Sequence, residues 1–311
     1  MTDSDTTRRL PPFIEVLRPG HWVKNGIVLL PIVFGLKYKE AEAWALCLLA
    51  VLTFCLVSSF TYILNDLFDR RSDQHHFRKR SRPIASGRLS PRTALAEMLV
   101  LAACVGGLLI AVGELFACVI GAYLLLQLAY NLLFKRHVLA DAICLACGFV
   151  LRAVGGAVAV HVAASAWLIV CTFFLALFLA FCKRQCEIVT VGGASAPLHR
   201  RALAGYTPAL LNHLITLSGA VTVVSFLLYA MSPHTLELFG TRLFIGTIPL
   251  VVYGIGRIAM LSMAGAYADP TELLLRDRPV QLTAAAWVTL AAAIVAYGRP
   301  VQEWLLAHLA G

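Results

Sequence analysis

Apolar residues run along this chain in long blocks, most of about 18 to 24 residues, parted by short polar stretches. A block of that length crosses a hydrocarbon core of roughly 30 Å as an α-helix. The short alternating blocks of a membrane-spanning barrel are absent. Nine spans are predicted, near 22–37, 43–64, 94–112, 115–134, 139–161, 165–182, 210–231, 242–263 and 280–298. The fold class is therefore all-α, a polytopic membrane helical bundle of nine transmembrane helices. One domain is expected over 1–311, with 1–20 as a flexible N-terminal arm. Pro31 interrupts the first span, the weakest of the nine. The first twenty residues are polar and basic and lack the apolar core of a signal peptide.

Composition agrees: the chain is 59% apolar and 14% charged, with a mean hydropathy of +0.79. A soluble domain carries about 25% charged residues. Of the 26 Lys and Arg, 20 fall in 1–25, 65–93, 135–138, 183–209 and 264–279, all on one side if the N-terminus is cytoplasmic. Four (Lys37, Lys39, Arg242 and Arg299) fall on the other side, and Arg152 and Arg257 lie within spans. This positive-inside bias predicts a multi-pass protein of the inner, cytoplasmic membrane with a cytoplasmic N-terminus. The net charge of +9 then belongs to that face, where anionic lipid headgroups or anionic substrates are met. The charge is dispersed over short loops, without a basic stripe interleaved with aromatics, so no nucleic acid is expected.

The nine cysteines lie mostly within spans. Cys144-x₂-Cys147 has ligand-like spacing, but no second pair or nearby His completes a tetrahedral set. They read as small packing residues. Gly106-Gly107 and Gly155-Gly156 read as close helix–helix contacts. Two polar connections, 65–93 and 183–209, are far longer than a bundle needs. Both lie on the charged side and open with a helical continuation, which marks them for function and hints at a repeated four-span unit.

The chemistry concentrates in Asn65-Asp66-Leu67-Phe68-Asp69-Arg70-Arg71-Ser72-Asp73. If the second span continues as a helix, Asp66, Asp69 and Asp73 at i, i+3 and i+7 share a face. Three carboxylates at a membrane interface repel one another, and a hard divalent ion such as Mg²⁺ removes that cost. The alternative is a solvated helix end paired to Arg70 and Arg71, which lie on other faces. Lys79, Arg80 and Arg82 follow, suited to the far side of a multiply charged anion. Arg152 stands mid-span, where a charge is costly. Asp141 lies roughly 16 Å back along the same helix, so Arg152 meets a ligand or a partner on another helix. Lys183 could pair with Glu187 at i+4, and Lys24 could anchor the first span, with Trp22 in the aromatic belt.

In order along the chain stand Trp22-Val23-Lys24-Asn25, the aspartate motif, Lys79-Arg80-x-Arg82-Pro83-Ile84-Ala85, Leu151-Arg152-Ala153 with Gly155-Gly156, Lys183-Arg184-x₂-Glu187, Tyr206-Thr207-Pro208 and Leu275-Arg276-Asp277-Arg278. The aspartate motif resembles that of the UbiA superfamily of intramembrane prenyltransferases. The ordered set, over about residues 12–298, is similar to its branch of decaprenyl-phosphate phosphoribosyltransferases. The resemblance implies an enzyme, a glycosyltransferase moving 5-phosphoribose from phosphoribosyl diphosphate to a polyprenyl phosphate and releasing diphosphate. Its product would be a precursor of lipid-linked arabinose and cell-wall arabinan. Asp66, Asp69 and Asp73 would hold Mg²⁺ on the donor diphosphate, with Asn65 beside them. Lys24, Lys79, Arg80, Arg82, Arg152, Lys183, Arg184, Tyr206 and Arg276 would contact the substrates. Homo-oligomers are compatible with it. Asp141 departs from the glutamate usual there, as do Gly20-His21 and Gln185-Cys186 from their counterparts. Two other readings stand beside this one: a UbiA-type enzyme alkylating an aromatic acceptor with a polyprenyl diphosphate, and a transporter of an anionic lipid or phosphate.

Overall fold

The computed structural model describes residues 10–75, 79–191, 205–267, 272–273 and 276–309, and every regular element among them is helical. A short helix α1 (Pro12–Glu15) leads into a 3₁₀ segment, Pro19–Leu29, and then α2 (Leu30–Phe34). The long helices are α3 (Ala41–Phe68), α5 (Pro91–Val112), α6 (Glu114–Leu132), α7 (Ala140–Ala159), α8 (Ala166–Val191), α9 (Pro208–Met231), α11 (Ile248–Met263) and α12 (Arg278–Leu309). Short helices α4 (Arg70–Gln74) and α10 (Pro233–Phe239) complete the set. Eight helices among the described residues are long and apolar enough to cross a membrane.

The expected first span is not among those eight. Residues 19–34 form a 3₁₀ stretch and a five-residue α-helix instead. Gly20 and Gly26 lower helix propensity, and Pro31 removes a backbone donor within the apolar run. The opposite difference occurs at α3 and α8, which run past their apolar blocks to Phe68 and Val191, so both long polar connections do open on a helix. Residues 192–204 of the second connection lie outside the described residues.

Helices α7 and α8 form the centre, packed on each other. α7 also meets α6, α3 and the 3₁₀ segment, while α8 meets α9 and α11. Close approach depends on small residues at one expected pair. A Cβ at Gly155 would stand 2.6 Å from the Phe54 ring, and one at Gly156 would collide with the backbone of Val28. Gly106 and Gly107 meet nothing within 4 Å, so the contact expected there is absent. Phe54 then stacks edge-on against Phe116 and Tyr123, with centroids 5.9 and 5.6 Å apart, which fixes the Tyr123 hydroxyl for the site below. Leu99, Ile110 and Leu125 point outward, the arrangement a hydrocarbon solvent favours.

Among the cysteines, Cys47, Cys55, Cys182 and Cys186 are buried as packing residues, whereas Cys104 and Cys118 face outward.

Candidate active site

The helix carrying the aspartate motif breaks within it. α3 ends at Phe68, Asp69 takes φ −89° and ψ 3°, and α4 restarts at Arg70. The kink splits the expected stripe. Asp66 and Asp73, both buried, turn to one guanidinium: Arg82 Nη1 donates to Asp66 Oδ1 at 2.9 Å and to Asp73 Oδ2 at 2.7 Å. Asp69 turns elsewhere, accepting from Lys135 Nζ at 3.0 Å. Among the described residues no three His, Cys, Asp or Glu side chains are grouped to hold a metal. Asp66 and Asp73 thus share one cation, and Asp69 has another. Lys79 Nζ lies 3.9 Å from Asp73. Burial pushes the Asp73 carboxyl up, against the pull of Arg82 and Lys79.

Arg18 is the residue that ties this rim to the interior. Its backbone is left-handed, φ 53°, a costly conformation for a non-glycine residue. That turn brings its guanidinium over the Tyr62 ring at 4.9 Å and onto Asp66 Oδ1.

Arg18 also lines a cavity of about 440 Å³ bounded by the 3₁₀ segment and helices α3, α6, α7 and α8. Four expected residues meet there: Lys24, Asn65, Arg152 and Lys183. Arg152 is buried, and its neighbours are neutral. Nε donates to Asn25 Oδ1 at 2.7 Å, Nη2 to Tyr123 OH at 2.8 Å and Nη1 to the Gly148 carbonyl at 3.0 Å. The Tyr123 and Phe149 rings lie 4.8 and 5.3 Å from its guanidinium carbon. Among the described residues no carboxylate pairs with it. Trp22, expected in the interfacial belt, instead donates to Ser59 at 3.1 Å and holds the 3₁₀ segment against α3.

Other expected contacts stand apart from the cavity. Arg184 is fully buried on another face of α8, giving Nε to Asp141 at 2.7 Å and Nη1 to Glu187 at 2.6 Å. Tyr206 donates its hydroxyl to Asp141 at 2.8 Å and accepts from the Leu139 amide at 2.8 Å. Burial first, then Asp141, pushes its phenol well above the usual value. Both residues join α7, α8 and the start of α9. Arg276 is exposed and pairs with Glu272 at 3.2 Å, and Arg80 is exposed. Arg257 and Asp277 pair at 2.8 and 2.9 Å, so that span-embedded charge is used between α11 and α12.

Sequence reasoning missed Arg18, Lys135 and the face that α6 gives the cavity: Tyr123, Gln127, Tyr130 and Asn131. The last four recur at i, i+4, i+7 and i+8, a polar stripe within an apolar span, and that periodicity was a usable signal. Arg18 and Lys135 carried none beyond ordinary loop charge.

The described helices thus form an apolar, membrane-spanning bundle around a cavity lined by Arg18, Lys24, Arg152 and Lys183. Residues 28–261 match the UbiA prenyltransferase family, and the chain belongs to that family of enzymes. It is 34% identical over 296 residues to the decaprenyl-phosphate phosphoribosyltransferase of Corynebacterium glutamicum, covering 91% of this chain and 88% of the relative. To the protein of that name from Mycobacterium tuberculosis it is 31% identical over 290 residues, 92% and 94% of the two chains. The nodulation protein NoeC of Azorhizobium caulinodans shares 32% over 188 residues, 60% of each chain. Among solved structures, a UbiA homologue from Archaeoglobus fulgidus bound to DMAPP and Mg²⁺ has the same fold. Its TM-score is 0.67 at 18% identity, over 92% of this chain and 99% of the other.

Proposed function

We propose that the enzyme transfers 5-phosphoribose from phosphoribosyl diphosphate to a polyprenyl phosphate, releasing diphosphate, in a reaction that depends on Mg²⁺. The observation that carries this reading is Arg152. A guanidinium in a membrane span with only neutral protein partners leaves a charge that a bound anion must balance. Lys24, Lys183 and Arg18 line the same cavity, and Arg18 shares Asp66 with Arg82, while Lys79 lies by Asp73. Several basic groups suit a reaction with two anions, the lipid phosphate and the donor's phosphates. Lysine and arginine bind such oxyanions more strongly than neutral donors do. The names of the relatives from Corynebacterium glutamicum and Mycobacterium tuberculosis agree with this chemistry.

The carboxylates fit a hard divalent ion. Asp66 and Asp73 already reach one cationic atom, Arg82 Nη1, at 2.9 and 2.7 Å. Mg²⁺ takes one or two protein carboxylates and fills its other positions with water and substrate phosphate. Asp66 and Asp73 would hold it, with Asn65 and Asp69 alongside, and it would neutralise charge on the departing diphosphate.

The protein's own residues then account for the remainder. Arg82 and Lys79 neutralise the diphosphate as the C1–O bond of the ribose breaks, and positive charge grows on the sugar carbon. Arg152, Lys24 and Lys183 hold the second anion, whose oxygen forms the new bond to C1. A phosphate monoester is already ionised at neutral pH, so no general base is required. Tyr123, Gln127, Tyr130 and Asn131 supply neutral hydrogen-bonding groups along the cavity.

Purified protein with Mg²⁺ should convert labelled phosphoribosyl diphosphate and a polyprenyl phosphate into a lipid-extractable product. Excess chelator should abolish it, and Asp66→Asn should raise the Mg²⁺ requirement without altering detergent-extracted size. A polyprenyl diphosphate with 4-hydroxybenzoate should remain unreacted. The reverse substrate pattern would place the enzyme among aromatic prenyltransferases.

A further inference from the structure

The kink at Asp69 has a second effect, on the side of the motif turned away from the carboxylates. It sends Arg70 and Arg71 into a separate cavity of about 470 Å³, lined by these two arginines with Leu67, Phe68 and Gln74. None of these residues lines the substrate cavity.

The nearby acids are committed elsewhere, Asp66 and Asp73 to Arg82 and Asp69 to Lys135. Among the described residues no ion pair forms to Arg70 or Arg71. The Arg70 Nε is also buried without a hydrogen-bond partner, and an unpartnered buried donor is costly unless a ligand supplies the acceptor. Below the arginines, Phe68 is 58% exposed at the end of the membrane-spanning α3. The cavity therefore offers two cations beside Leu67 and Phe68, at the polar end of an apolar helix where lipid headgroups are met.

We propose that this cavity binds the phosphate headgroup of an anionic membrane lipid. Arg70 and Arg71 take the phosphate oxygens, and Phe68 and Leu67 take the start of the acyl chains. A free phosphate would satisfy the arginines but leave the exposed Phe68 ring uncovered, so the lipid is the favoured source.

The test is binding, not turnover, which keeps it independent of the ribosyl-transfer reading. Full-length protein in phosphatidylcholine nanodiscs is titrated with phosphatidylglycerol, and retained lipid is counted by native mass spectrometry. Retention should weaken about fivefold for each arginine removed, in Arg70→Gln and Arg71→Gln. Arg71→Lys should keep most of it, and inorganic phosphate at equal concentration should not compete. The exposed Arg71 position guards against misfolding, with thermal unfolding in phosphatidylcholine alone as the check. Equal retention in the Gln variants would overturn the site. Competition by phosphate would overturn the lipid assignment, and displacement by phosphoribosyl diphosphate with Mg²⁺ would show the cavity to be part of the donor site.

Discussion

At the scale of single residues, a charge is defined by what neutralises it. Arg184 and Arg152 are both buried arginines in apolar helices, thirty-two positions apart in sequence. Arg184 has Asp141 and Glu187 at 2.7 and 2.6 Å, and is a structural cross-link. Arg152 has only amide, hydroxyl and carbonyl partners, and we propose it as a binding group. Arg152→Gln should raise KM for an anionic substrate about 10- to 100-fold, the range of one charge-assisted hydrogen bond, with a smaller effect on kcat. Arg152→Lys should not restore it, because a compact ammonium cannot reach Asn25, Tyr123 and a ligand together. Steady-state kinetics on both substrates decide it, and an unchanged KM for both would remove Arg152 from the site. Sequence alone could not separate the two arginines. Each pairs with residues far along the chain, 43 positions for Arg184–Asp141 and 127 for Arg152–Asn25.

At the scale of elements, the 3₁₀ segment holds the cavity together, and its contact with α7 depends on the absence of one Cβ. Gly156→Ala would force Val28 away and disturb Asn25 three residues before it, the acceptor for Arg152 Nε. The expected cost is about 1–3 kcal/mol, as for overpacking elsewhere, read as a lower unfolding temperature in detergent together with reduced turnover. Gly106→Ala is the internal control. Its Cβ meets nothing within 4 Å, so stability should hold or rise by up to about 1 kcal/mol through the better helix propensity of alanine. Equal losses in the two variants would mean that general helix perturbation, not the α7 contact, is responsible.

At the scale of the whole molecule, the asymmetry of charge sets the orientation expected in the membrane. Residues 65–93 carry eight Lys and Arg, among them Lys79 and Arg82 beside the aspartate motif. They should face the cytoplasm. In a background stripped of its nine cysteines, Ser90→Cys should resist an impermeant thiol reagent added to intact cells. Ser165→Cys, between α7 and α8, should react. Labelling at position 90 from outside would invert the orientation and place the rim on the other face.

Much of the architecture is local and was readable from the chain. Hydrophobic block length dictates membrane-spanning helices, because backbone groups in lipid can be satisfied only within the segment itself. The aspartate motif and the mid-span Arg152 were conspicuous because charge is scarce here and expensive where it sits. The division of labour among the charges was not readable. Whether Asp69 joins Asp66 depends on a kink, and the partner that draws Asp69 away is Lys135, 66 residues further on. Whether Arg18 is a loop charge or a rim residue depends on a left-handed turn and on Asp66, 48 residues away. Composition and periodicity report how each segment prefers solvent or lipid. Which cation meets which anion is settled by where the packed helices place their ends, and only the tertiary structure decides that.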